Sequence, residues 1–94
     1  MSDTGELLGR IEEALEGIEQ EGGDAFPPMA SVKRQLLWCR AYLRGEETNG
    51  RPNPFDMGAI AIRELDLYGD NPDLALDVYH IEREMEERLN GLES

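Results

Sequence analysis

Asn53-Pro-Phe-Asp-Met-Gly-Ala-Ile-Ala-Ile-Arg-Glu-Leu-Asp-Leu-Tyr-Gly-Asp-Asn-Pro-Asp-Leu-Ala-Leu76 holds the most apolar run of the chain and its plainest helix boundary. From Pro54 to about Tyr68 the spacing predicts a helix. Ala59, Ile60, Ala61, Ile62 and Leu65 make it apolar almost all round, as in a helix buried among others. Gly58, Ala59 and Ala61 are small enough to let a neighbouring backbone come close, and Gly69 is the expected stop. Asn71 then suits an N-cap, Pro72 the first helical position and Asp73 the positive end of the helix dipole. The helix they open is expected over about 72–90, with Leu74, Val78, Ile81, Met85 and Leu89 inward and Gly91 at its end.

The rest of the chain falls into place around this pair. Residues 4–21 carry Leu7, Leu8, Ile11, Ala14, Leu15 and Ile18 at helical spacing, with Glu12, Glu13, Glu16 and Glu19 on the other side. Asp3 or Thr4 can cap this helix, and Gly22-Gly23 can end it by accepting the left-handed conformation. Gly9 and Gly17 lower its intrinsic propensity, so packing must hold it. A further helix is expected over about 29–44. Met29, Val32, Leu36, Cys39 and Leu43 form a seam there, and Leu37, Trp38, Ala41 and Tyr42 widen it. Gly45 closes it, and Thr48, Asn49, Gly50 and Pro52 mark a loop. No segment reads as a strand. The expected architecture is all-α, a single domain over 1–94 forming a four-helix antiparallel bundle or a compact helical variant.

Ninety-four residues can bury a modest core without metal or disulfide. The net charge of −12 argues against nucleic acid or an anionic membrane as a partner and favours a basic one. Cys39 is the single cysteine, which fits a reducing compartment. The N-terminus lacks a basic region followed by an apolar one, and no apolar run reaches the length of a membrane span. A cytoplasmic protein is expected.

The charge is uneven. Residues 1–25 hold eight acids and one base, 26–53 two acids and five bases, and 54–94 eleven acids and three bases. The basic second helix can pair with its acidic neighbours, Arg40 being a fair candidate, although each exposed pair adds only about 0–1 kcal/mol. The corner formed by Glu64, Asp66, Asp70 and Asp73 is less easily explained. Glu64, Asp66 and Asp70 lie at or beyond a helix C-terminus, where the dipole disfavours negative charge. A solvent-exposed turn tolerates such acids cheaply, but a local rule broken in a cluster also points to function. Trp38, Tyr42, Tyr68 and Tyr79 suit either core or interface. Trp38 reads as core, and Tyr68, beside Gly69, as the exposed one.

Catalytic and metal chemistry find little support. His80 is the single histidine, so it and Cys39 complete no zinc set, and Asp77 with His80 makes only half of a di-iron pair. Asp66, Asp70 and Asp73 lack the spacing of a calcium loop, which Pro72 interrupts. Ser31 and Ser94 have no matching histidine-acid arrangement, and Cys39 lies on an apolar seam where a thiol is inert packing. No cofactor, metal or enzymatic activity is expected.

Three pieces carry a family resemblance. Ser31-Val-Lys-Arg-Gln-Leu-Leu-Trp-Cys-Arg-Ala-Tyr-Leu43, Phe55-Asp-Met-Gly-Ala-Ile-Ala-Ile-Arg-Glu-Leu-Asp66 and Asn71-Pro-Asp-Leu74 occur in matching order and spacing. Together they resemble the small all-helical immunity proteins that neutralise type VI secretion toxins hydrolysing NAD(P)+. The resemblance covers residues 31–80. The chain departs from the pattern in a longer loop at 46–53 and in the extra Leu67-Tyr68-Gly69. The resemblance implies a cytosolic binder that caps the active cleft of a cognate toxin domain in a 1:1 complex. Its expected contacts are Glu64, Asp66, Tyr68, Asp70 and Asp73, with Trp38 and Tyr42 as aromatic contacts. A cleft built for a dinucleotide pyrophosphate is basic, and an acidic protein complements it. The competing class is an acidic helical adaptor or homodimeric module with no toxin partner.

Overall fold

The computed structural model describes residues 4–48 and 50–93, so the expected Asp3 cap and the turn residue Asn49 lie outside the described residues. Helix α1 spans Thr4–Gln20, a 3-10 turn spans Gly23–Ala25 and α2 spans Pro27–Leu43. Helix α3 covers Met57–Ala61 and continues without a break as a π-helical turn over Ile62–Leu67, after which α4 covers Pro72–Glu93. Among the described residues there is no strand. The all-α bundle is therefore shown. A radius of gyration of 12.6 Å matches the roughly 12 Å expected of one compact domain of this length.

The helices run antiparallel. The end of α1 meets the start of α2 through Lys33, which pairs with Glu19 and Asp24. It meets the start of α4 through Asn71 Nδ2, which donates to Glu21 Oε2 at 3.4 Å. At the opposite end Arg88 of α4 donates to Thr4 Oγ1 at 3.1 Å. Arg40 pairs with Glu12 at 3.0 Å and Arg44 with the same carboxylate at 3.5 Å, so the basic face of α2 is spent largely on α1.

The core follows the apolar stripes. Leu7, Ile11, Ala14, Leu15 and Ile18 meet Met29, Val32, Leu36 and Cys39 and the α4 stripe Leu74, Val78, Ile81 and Met85, all buried. Gly17 owes its place to α4, because a Cβ there would lie 3.0 Å from the Leu74 side chain. Gly22, Gly23 and Gly45 have positive φ, the conformation their helix ends require.

Several expectations need correction. Helix α2 begins at Pro27, with prolines 27 and 28 in the first turn where the missing N–H costs nothing. Helix α3 begins at Met57 rather than near Pro54, which follows a cis peptide bond to Asn53. Its buried residues are Met57, Gly58 and Ala61, while Ala59 is exposed and Ile60 and Ile62 are half-buried. The all-round apolarity thus overstated how enclosed this helix is. Gly69 lacks a positive φ and serves instead as a spacer, since a Cβ there would sit 2.5 Å from the Glu64 carbonyl oxygen. Gly91 does not end α4, which continues to Glu93. Leu8 and Leu43 are only half-buried.

Candidate protein-binding surface

The π-helical turn sets up the acidic corner. The Tyr68 N–H donates to the Arg63 carbonyl at 3.0 Å, five residues back, and the Asn71 N–H donates to the Leu65 carbonyl at 2.9 Å. Asn71 caps α4 as its type suggested, its Oδ1 accepting the Leu74 N–H at 3.3 Å, while its amide nitrogen ties the corner to α1. Gly69 lets the chain fold back against Glu64 and Leu65. The backbone of residues 63–74 is thereby held from three sides.

This frame sorts the side chains. Leu65 is buried and anchors the turn to the core, whereas Leu67 is 71% and Tyr68 78% exposed. Asp66, Asp70 and Asp73 are also exposed. The side chains of Asp66, Tyr68, Asp70 and Asp73 make no hydrogen bond or ion pair with any described residue. Glu64 is half-buried and receives the Arg63 Nε at 3.5 Å, so it is partly engaged in the turn itself. Asp66, Tyr68, Asp70 and Asp73 thus share one short, fixed turn at one end of the bundle, with Glu64 one turn earlier in the chain.

Trp38 and Tyr42 lie elsewhere. Their rings stack at 5.2 Å with an interplanar angle of 19°. The Trp38 ring also meets Phe55 edge-on at 6.3 Å, and the Arg51 guanidinium sits 5.8 Å from the Phe55 ring. Phe55 precedes α3, so this aromatic cluster is at the opposite end of the α3–π segment from the corner, about 16 Å away by helical rise. Both rings are half-buried against the core. The two groups of expected contacts form separate patches. Tyr79, also half-buried, lies beneath the Arg83 guanidinium at 5.9 Å.

Sequence reasoning missed the polar clamp at the start of α3. Gln35 is only 2% exposed. Its Oε1 accepts the N–H groups of Asp56 and Met57, both at 2.9 Å, and its Nε2 donates to Asp56 Oδ1 at 3.0 Å. From α4, Glu82 Oε1 accepts the Gly58 N–H at 3.0 Å. Two other helices thus supply the caps that α3 lacks locally. Burial pushes the Glu82 carboxyl above the usual carboxylate range. The Gly58 N–H opposes that shift, and the charges of Glu86 and Asp56 add to it. A signal for Gln35 was present: it stands three residues after Val32 and four before Cys39, on the inward stripe.

The remaining chemistry is sparse. Cys39 is buried and its thiol is pushed up to about 12, chiefly by burial and further by the Glu82 charge. Such a thiol carries little thiolate and is a poor nucleophile. Asp77 and the exposed His80 line a polar surface cleft of about 190 Å³ with Arg10 and Glu13. Among the described residues no group of three or more His, Cys, Asp and Glu side chains is placed to hold a metal ion. An apolar groove of about 280 Å³ runs between Tyr42, Leu43, Glu87, Arg88 and Gly91 at the far end of the bundle. No helix among the described residues is long and apolar enough to cross a membrane. No protein-family model, curated protein or solved structure matches this chain.

Proposed function

We propose that this chain is an immunity protein, a cytoplasmic binder that seats its acidic corner in the active cleft of a cognate NAD(P)+-degrading toxin domain. One observation carries the reading. Asp66, Tyr68, Asp70 and Asp73 are exposed, lack a partner within the described chain and stand on a backbone pinned at Arg63, Leu65 and Glu21. Exposed side chains with no partner in the described chain, presented on a fixed frame, suit recognition of another molecule. The net charge of −12 supports a cationic partner, and long-range attraction would speed the encounter. The resemblance of residues 31–80 to toxin-neutralising helical proteins supplies the partner class. Binding at the corner excludes water and substrate from the toxin without chemistry by this chain.

Co-expression with the product of the adjacent reading frame tests the proposal. The expected outcome is rescue of the growth defect and a 1:1 complex that survives purification. Absence of both rescue and complex overturns it. The second reading, a homodimeric or adaptor module, draws on the apolar groove at Tyr42, Leu43 and Gly91. It predicts a concentration-dependent dimer of the free chain that Leu43→Glu dissolves.

A further inference from the structure

Among the described residues, the large hydrophobics that stay exposed are Phe26, Leu67, Tyr68 and Leu76. All four belong to one end of the bundle. Phe26 opens α2, Leu67 and Tyr68 close the π-helical turn, and Leu76 lies in the first turns of α4. That these segments share an end follows from the bonds that join them: Lys33 to Glu19 and Asp24, and Asn71 to Glu21. Scattered exposed apolar residues need no explanation, but a concentration of them at one end marks an interaction surface. Core packing accounts for none of them, because Leu65, Leu74 and Ala75 already fill the buried positions beside them.

We propose that this end docks into a protein partner offering an apolar pocket rimmed by lysine and arginine, with Leu67 and Tyr68 entering the pocket as a wedge. The inference deepens the immunity reading, resting on its choice of binding face. Charge selects the occupant. Asp66, Asp70 and Asp73 are exposed around the wedge, so a second copy would set acid against acid, and a phosphate backbone or anionic membrane would be repelled. A cationic protein surface is attracted. The π-helical turn and the Gly69 close approach hold the wedge in place before binding, so little ordering entropy is lost on docking. The acids then set the rate of encounter and its salt dependence, while Leu67 and Tyr68 set the lifetime of the complex.

The test uses the full chain immobilised from the Arg88 side of α4, at the opposite end of the bundle, and a displayed random-peptide library as probe. The expected peptides combine lysine or arginine with aliphatic or aromatic residues and shift the amide resonances of residues 64–76. Leu67→Ser and Tyr68→Ser each weaken them about tenfold or more. Both side chains are exposed, so unchanged circular dichroism is expected for both variants. Replacing Asp66, Asp70 and Asp73 together by Asn weakens binding chiefly at low salt. The inference is overturned if no basic-apolar peptides are enriched, if they shift Tyr42, Leu43 and Gly91 instead, or if both serine variants bind unchanged. A chain that selects such peptides at residues 64–76 yet neutralises no toxin supports this inference and sinks the immunity reading. A chain that neutralises the toxin equally well with both serine substitutions does the reverse.

Discussion

At the start of α3 the N–H groups of Asp56, Met57 and Gly58 are each taken by a side chain from another helix. At the far end of the same segment the side chains of Asp66, Tyr68 and Asp70 take nothing from the rest of the described chain. The first region is polar and closed. Gln35 is buried with its amide satisfied, and among the described residues no buried side-chain nitrogen or oxygen lacks a partner. The second is open, and its backbone is fixed while its side chains are free. The difference separates residues that hold the fold from residues available to a partner. It also yields opposite mutational signatures.

The largest effect is expected at the closed end. Gln35→Leu leaves the buried Met57 N–H and the part-buried Asp56 N–H without an acceptor, which should cost about 2–3 kcal/mol in denaturant unfolding. A loss below about 1 kcal/mol would mean that water replaces the amide and that the closed end is not closed. Next is Gly69→Ala. A Cβ 2.5 Å from the Glu64 carbonyl oxygen must push the chain away from the π-helical turn, at a cost of about 1–3 kcal/mol, and should misplace Tyr68. An unperturbed melting temperature together with unchanged amide shifts at residues 66–71 would show that the turn is soft.

A smaller, pH-dependent effect belongs to Glu82. Its carboxyl is raised in the fold, first by burial, so folding favours the protonated form. The stability it contributes is full below the ordinary carboxylate value and is lost as pH rises through its folded value. Glu82→Gln keeps an acceptor for the Gly58 N–H and removes the charge. Its stability relative to the parent should therefore increase as pH rises above the ordinary carboxylate range in urea titrations. A parallel pH profile for both proteins would contradict the assignment. The smallest effect on stability is expected at the open end, where Asp66→Asn, Asp70→Asn and Asp73→Asn combined should change unfolding free energy by no more than about 0.5 kcal/mol. A loss of several times that size would mean that these acids serve the fold.

Much of the architecture was legible because amphipathic stripes report which face packs. Ile11 and Ile18, Val32 and Leu36, and Val78, Ile81 and Met85 are all buried where their spacing put them. The Asn71-Pro72 boundary was legible because capping is local chemistry. The inward place of Gln35 was legible from Val32 and Cys39, but its task was not, because that depends on the long-range partners Asp56 and Met57. The π-helical turn was not legible either, because its five-residue bonding leaves no periodic trace in six residues. The exposure of Ala59 was hidden by a run that is apolar all round, in which Met57, Gly58 and Ala61 take the buried places. The exposure of Asp66 and Asp70 was legible from a broken charge rule, and that of Tyr68 from its place beside Gly69. That of Leu67 was not, for a leucine two residues after buried Leu65 reads as part of an apolar run.

Hydrogen exchange on the complex formed with the product of the adjacent reading frame tests the choice of binding end most directly. Protection on complex formation is expected to centre on residues 64–76 and to fall in Leu67→Ser and Tyr68→Ser complexes, while Tyr42, Leu43 and Gly91 exchange as in the free chain. Protection centred on Tyr42, Leu43 and Gly91, with residues 64–76 unchanged, would place the partner at the wrong end and contradict it.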